Sequence, residues 1–145
     1  MIRSRYALVA FVVTAACGPD AGEFTRAKLM QAVQTSPNRL DLRTYVAGDW
    51  ERVCFFLGPM PAAAIQTQLG FAWPGANTSG IENSREESLA VFTRDERVVH
   101  SVLLERIRGD FNTVSPAYCL SRDSAVFRVS NPEATEYRAL VPANP

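Results

Sequence analysis

Histidine, lysine and long apolar runs are what this sequence has least of. One histidine, His100, and three cysteines, Cys17, Cys54 and Cys119, are its whole stock of soft metal ligands and strong nucleophiles. Cys54 and Cys119 stand far apart in the chain, and neither has the short-range partner that a structural zinc site needs. Glu82, Glu86 and Glu87 form an acidic run without the alternating Asp/Asn ligands and closing Glu of a calcium loop, so they read as solvated loop charge. Gly58, Gly70, Gly75 and Gly80 are scattered as turn residues, and no glycine-rich phosphate cradle is spelled out. Neither metal nor cofactor is therefore expected. A basic excess is lacking too: 15 Lys and Arg face 15 Asp and Glu, which leaves nothing to hold nucleic acid through its phosphates. Only one of the basic residues, Lys28, is lysine. No apolar stretch approaches the roughly 20 residues that cross a bilayer as a helix.

What the chain does have is an export pattern at its start. Arg3 and Arg5 are a short positive segment, Tyr6 to Val13 (YALVAFVV) an apolar one, and Thr14-Ala15-Ala16 the small residues that precede a cut. "TAAC" resembles the bacterial lipoprotein signal, in which a small residue and Gly or Ala stand before a cysteine. Thr14 departs from the usual leucine at the first place; Ala15, Ala16 and Cys17 fit. The alternative is an ordinary cut near Ala16 that leaves Cys17 unmodified. The lipoprotein reading implies a diacylglycerol thioether on Cys17 and a further acyl chain on its amine, enough buried chain for lasting attachment to a membrane. It divides the sequence into a signal peptide at 1–16, a lipidated tether at 17–22 and one globular domain at 23–145. Gly18, in place of Asp, after Cys17 resembles the pattern of lipoproteins sent on to the outer membrane. The place of work is then the periplasmic face of a bacterial membrane. Cleavage would remove Arg3 and Arg5 and leave a slight acidic excess.

Along the domain, helical and extended patterns alternate. Glu23 to Gln34 shows helical spacing, with Phe24, Ala27, Met30 (beside Leu29) and Val33 as an apolar stripe, ended by Ser36-Pro37-Asn38. Leu40 and Leu42 alternate with Asp41 and Arg43 as a short edge strand or extended lead-in. Val53 to Leu57 is a continuous apolar run bounded by Asp49 and Gly58-Pro59, the mark of a buried strand. Pro61 to Leu69 reads as a helix closed by Gly70, and Phe71 to Ser88 as a long polar loop pinned by Phe71 and Trp73. Two apolar runs around Arg94-Asp95-Glu96 predict a hairpin, with Val98, His100, Val102 and Leu104 on one face of its second strand. "AYCLS", "SAVFRVS" and "TEYRALVP" are further strands. The expected fold is α+β, one or two N-terminal helices packed on an antiparallel sheet of about five strands.

Few residues suggest chemistry. His100 as general base with Cys54 or Cys119 as nucleophile would make a thiol-dependent enzyme or hydrolase. Against it stands a plain strand histidine. The two cysteines either form a disulfide, as suits an oxidising compartment, or remain buried, reduced thiols. Trp50, Phe71 and Trp73, with Phe55 and Phe56, form either one hydrophobic core or an aromatic surface for a ligand. In "RIRGDF" the expected role of Asp110 is to accept from Arg106 or Arg108 and fix a turn.

"DWERVCFFLGP", "LGFAWPG", "GIENSREESLAVFTRDERVVHSVLL" and "GDF" together resemble an uncharacterised family of small bacterial lipoproteins, over Asp49 to Phe111. The resemblance implies an exported lipoprotein and carries over no catalytic or binding residue. The expectation is thus a non-catalytic binding or envelope-accessory module, anchored through Cys17, with an envelope protein or ligand as partner. The thiol enzyme is one alternative. An inhibitor of a host or rival enzyme, suggested by size and location alone, is another.

Overall fold

The computed structural model describes residues 21–36 and 38–143, with side chains from Thr25 onward. The expected signal, Cys17 and the tether as far as Asp20 lie outside the described residues, as does the side chain of Phe24. Ala21–Thr35 is the first helix, α1. Its buried residues are Thr25, Leu29, Met30, Ala32 and Val33, followed just past its end by Ser36, spaced mostly at three and four so that they share one face. Ala27, expected on that stripe, is exposed. The buried stripe runs instead through Leu29, Ala32 and Val33, and at its start the Thr25 hydroxyl hydrogen-bonds His100 Nε2 on the sheet below.

Two antiparallel sheets follow, where one had been expected. The larger contains β2 (Arg52–Leu57), β3 (Glu87–Arg94), β4 (Arg97–Glu105) and β5 (Ala117–Ser121), in the order β4-β3-β2-β5. The smaller pairs β1 (Arg39–Asp41) with β6 (Val126–Val129), and β6 with β7 (Leu140–Pro142). Its strands are three or four residues long, and β1 meets a partner distant in sequence, so their run lengths gave no hint of a separate sheet. The lead-in through Leu40 is the edge strand β1, which passes at once into a single helical turn, α2 (Leu42–Tyr45), capped by the Asp41 carboxylate on the Arg43 N–H. The fold is α+β.

β2 explains the layering. Neighbouring residues of a strand face opposite ways, and the Val53–Phe56 run is wholly buried, so both faces of the large sheet are covered. On one face Val53, Phe55, Ala90, Phe92, Val102 and Leu104 pack against α1 and the small sheet. Phe55 is the centre there, stacked on Phe111 at 4.8 Å and edge-on to Phe127 at 5.5 Å. On the other face Cys54, Phe56, Leu89 and Val91 pack under Ile65 and Leu69 of α3 (Ala62–Leu69). Pro61 precedes α3 and Gly70 ends it at φ 86°. Between α3 and β3, where only loop was expected, the chain forms α4 (Gly75–Thr78) and a 3-10 turn at Ile81–Asn83, because Ala76 and Ile81 drop into the same core. Gly58 is required where this segment returns: a Cβ there would fall 2.2 Å from the Ser84 carbonyl oxygen.

The β3–β4 hairpin turns through Asp95 and Glu96, at φ 49° and 54°. The register shifts between Phe92 and Thr93, so that Phe92 faces His100 while Thr93 faces Val98. The extra residue is Val99. The bulge breaks the expected alternation: Val98 packs with the α3 face, away from His100, and Val99 is 49% exposed.

Candidate functional site

Cys54 and Cys119 oppose each other directly in the β2–β5 register and form a disulfide. Cys54 is fully buried and Cys119 half-buried, beneath the Gln68 side chain of α3, whose Nε2 lies 3.8 Å from the Cys119 sulfur. Both cysteines lie on the α3 face of the sheet. His100 is in register with Phe92 and so lies on the α1 face, bonded to Thr25. The sheet itself therefore separates imidazole from sulfur, and the two sulfurs are bonded to one another. The nucleophile–base pair considered from sequence is not assembled.

The aromatic residues do not gather on one surface either. Trp50 is 1% exposed, edge-on to Phe92 at 5.1 Å. Its indole N–H donates to the Val46 carbonyl at 3.1 Å, and the Arg122 guanidinium lies 4.8 Å from the ring centre. Phe71 and Trp73 are half-buried on the opposite face, against the α3 core, where Gln66 Oε1 accepts from the Trp73 backbone N–H at 2.8 Å. Trp50 belongs to one core and Phe71 and Trp73 to the other. Among the described residues no group of three or more His, Cys, Asp or Glu is placed to hold a metal ion, and no helix is long and apolar enough to cross a membrane.

The densest polar arrangement is around Asp110, in the turn after β4. Its carboxylate is 1% exposed. Arg106 donates to Oδ2 from Nε at 3.2 Å and from its terminal nitrogen at 2.7 Å, and the Tyr137 hydroxyl donates to the same oxygen. The Asn112 N–H donates to Oδ1 at 2.9 Å. The expected turn-fixing partner is thus Arg106; Arg108 pairs with Glu105 instead, at 2.9 Å. Main-chain bonds complete the knot, from the Asp110 N–H to the Arg138 carbonyl and from the Leu140 N–H to the Asp110 carbonyl. Tyr137 and Arg138 were invisible in the sequence, because nothing local marks a residue whose partners lie in other elements. Beside the knot runs an open groove of about 540 Å3, lined in part by Arg85, Glu86, Arg106, Ile107 and Tyr137. Ile107 and Tyr137 are 64% and 42% exposed.

Burial pushes the Asp110 carboxyl up, but the bonds from Arg106, Tyr137 and the Asn112 N–H outweigh it and hold the group below the usual carboxylate range. A depressed carboxyl stabilises the fold above its unfolded value, near 4, and that contribution disappears as pH falls through the lower folded value. The expected result is a loss of stability below about pH 4 that Asp110→Asn makes shallower, together with a cost at neutral pH of about 2 kcal/mol from the lost charge-assisted bonds. Urea unfolding of both proteins from pH 7 to pH 2.5 measures this; parallel pH profiles would show that Asp110 does not carry the acid limb.

Comparison of the chain with protein-family models, with curated proteins and with solved structures finds no match.

Proposed function

We propose that this chain is a lipid-anchored protein of the bacterial envelope, acylated on Cys17 and held at the periplasmic face of a membrane, the outer one by the cue of Gly18. Its folded body acts as a non-catalytic binding or envelope-accessory module. The observation that carries the reading is the Cys54–Cys119 disulfide. Such a bond persists in oxidising compartments and is rare in a reducing cytosol, which agrees with the export pattern at Arg3 to Cys17. The same bond leaves neither sulfur free as a nucleophile, which weighs against the thiol-dependent enzyme. Both faces of the large sheet are taken up by core, so a partner would meet loops and sheet ends. The groove beside Asp110, with Ile107 and Tyr137 exposed, is the surface best suited to it.

Labelled palmitate and intact-mass measurement test the anchor. The wild-type protein is expected to take up label, to lose it under globomycin, and to carry an acylated N-terminal cysteine. Cys17→Ser is expected to take up none. A native protein that begins at Met1, or a Cys17→Ser protein that still takes up label, overturns the reading.

A further inference from the structure

We infer that the β3–β4 hairpin tip, with Arg97 and Val99, is the surface of the body that lies against the lipid headgroups. The inference rests on acylation of Cys17 and adds to it which end of the protein meets the bilayer.

Three residues, Gly18 to Asp20, separate Cys17 from the first residue of α1. At full extension the step from Cys17 to Ala21 spans at most about 14 Å. An acylated Cys17 sits at the membrane surface, so the start of α1 stays within that distance of it. The direction of α1 then decides what else comes close. Thr25 meets His100, and Val33 packs on Gly109, where an added Cβ would lie 2.5 Å from the valine. The helix therefore runs the same way as β4, with its N-terminal end toward the hairpin tip.

Lengths along the two elements complete the placement. Ala21 is one turn before Thr25, about 6 Å. Glu96 is four residues before His100, about 13 Å in extended chain. Measured along β4, the hairpin tip thus lies roughly 7 Å beyond the start of α1. The tip suits a headgroup layer. Val99, turned out by the bulge, is 49% exposed, and Arg97 is exposed two residues away. An apolar side chain beside a long basic one is a pairing that sits at a polar–apolar boundary. The turn Arg94-Asp95-Glu96-Arg97 carries no net charge by itself, and Arg94 is already paired with Asp49 and Glu51 beside it, so contact is imposed by the tether and owes nothing to attraction by anionic lipid. Ile107 and Val114, 64% and 59% exposed, lie at the other end of the sheet, about 20 Å away along β4.

Site-specific photo-crosslinking of the full acylated protein tests this. p-Benzoylphenylalanine is placed at Val99 or Ile107, in vesicles of phosphatidylethanolamine and phosphatidylglycerol. Position 99 is expected to give at least about tenfold more lipid adduct than position 107, since about 20 Å exceeds the reach of the probe. The excess should persist at 0.5 M salt, and 20 Gly/Ser residues inserted between Asp20 and Ala21 should abolish it, since such a linker averages about 25 Å. An acylated protein that gives equal adduct at the two positions, or an excess at 99 that survives the long linker, overturns the orientation. An N-terminus without acyl chains overturns the anchor itself, and the mass spectrum of the same sample separates the two failures.

Discussion

Reduction of the Cys54–Cys119 bond is expected to cost about 4 kcal/mol of unfolding free energy, because the link closes a 65-residue separation and so restricts the unfolded chain. A domain of this size has of the order of 5–15 kcal/mol in total, so the reduced protein is left marginal. The midpoint of thermal unfolding should fall by roughly 15 °C. The dependence on denaturant should steepen at the same time, since an unlinked unfolded chain exposes more surface. The native fold itself should survive, because β5 keeps its pairing with β2 and its packing through Tyr118 and Leu120. What loosens first is β5, the edge strand that the bond ties to the sheet, so the amides of Tyr118 to Leu120 should lose protection before those of β2. Attack by a reductant must come at Cys119, since Cys54 is fully buried. Denaturant curves with and without reductant, and of the double variant Cys54→Ala, Cys119→Ala, measure the effect. An unchanged midpoint would show that the unfolded chain gains nothing from release of the link.

The elements that could be read from the sequence are those whose cause is local. The Val53 to Leu57 run must be buried on both sides wherever it is placed, and Pro61, the alanines and Gly70 bound α3 by their own backbone preferences. Asp110 was legible as a turn residue because Arg106 is only four positions away. The disulfide stayed open for a physical reason: whether two strand cysteines meet depends on register, and the register of β2 with β5 is decided by long-range pairing. The small sheet was missed for the same reason, as β1 finds β6 across most of the chain. The bulge at Val99 was missed because it inserts a residue into a run that is apolar on both sides of the shift, so the period of two seemed to continue. Trp50 and the Phe71–Trp73 pair looked like one constellation because aromatic composition says nothing about which face of a sheet each residue joins.

Arg138→Met is expected to destabilise the protein by about 4 kcal/mol, although Arg138 carried no signal in the sequence. The residue is 8% exposed. One terminal nitrogen of its guanidinium donates to the carbonyls of Val33, Ser36 and Gln34, at 2.8, 2.6 and 3.3 Å, and the other to Pro132 at 3.2 Å. The first three belong to the end of α1, where the last carbonyls of a helix lack partners and the helix dipole places about half a negative charge. α1 has no basic residue in its own last turn, so the cation is supplied from the segment just before β7. The adjacent Tyr137 reaches Asp110 in the turn after β4. One short segment therefore fastens the C-terminal strand both to α1 and to the end of the large sheet. Methionine keeps most of the stem and leaves the Val33 and Ser36 carbonyls buried without a donor, at about 1–3 kcal/mol each. Arg138→Lys should lose about half as much: an ammonium keeps the charge at the helix end but lacks the planar fork that spans α1 and Pro132. Equilibrium unfolding gives the totals, and hydrogen exchange gives the place. The last turn of α1 should fray in Arg138→Met while the turn that contains Thr25, held by His100, keeps its protection. A loss below about 1 kcal/mol, or fraying spread evenly along α1, would mean that water reaches those carbonyls and that the guanidinium is not what closes the helix.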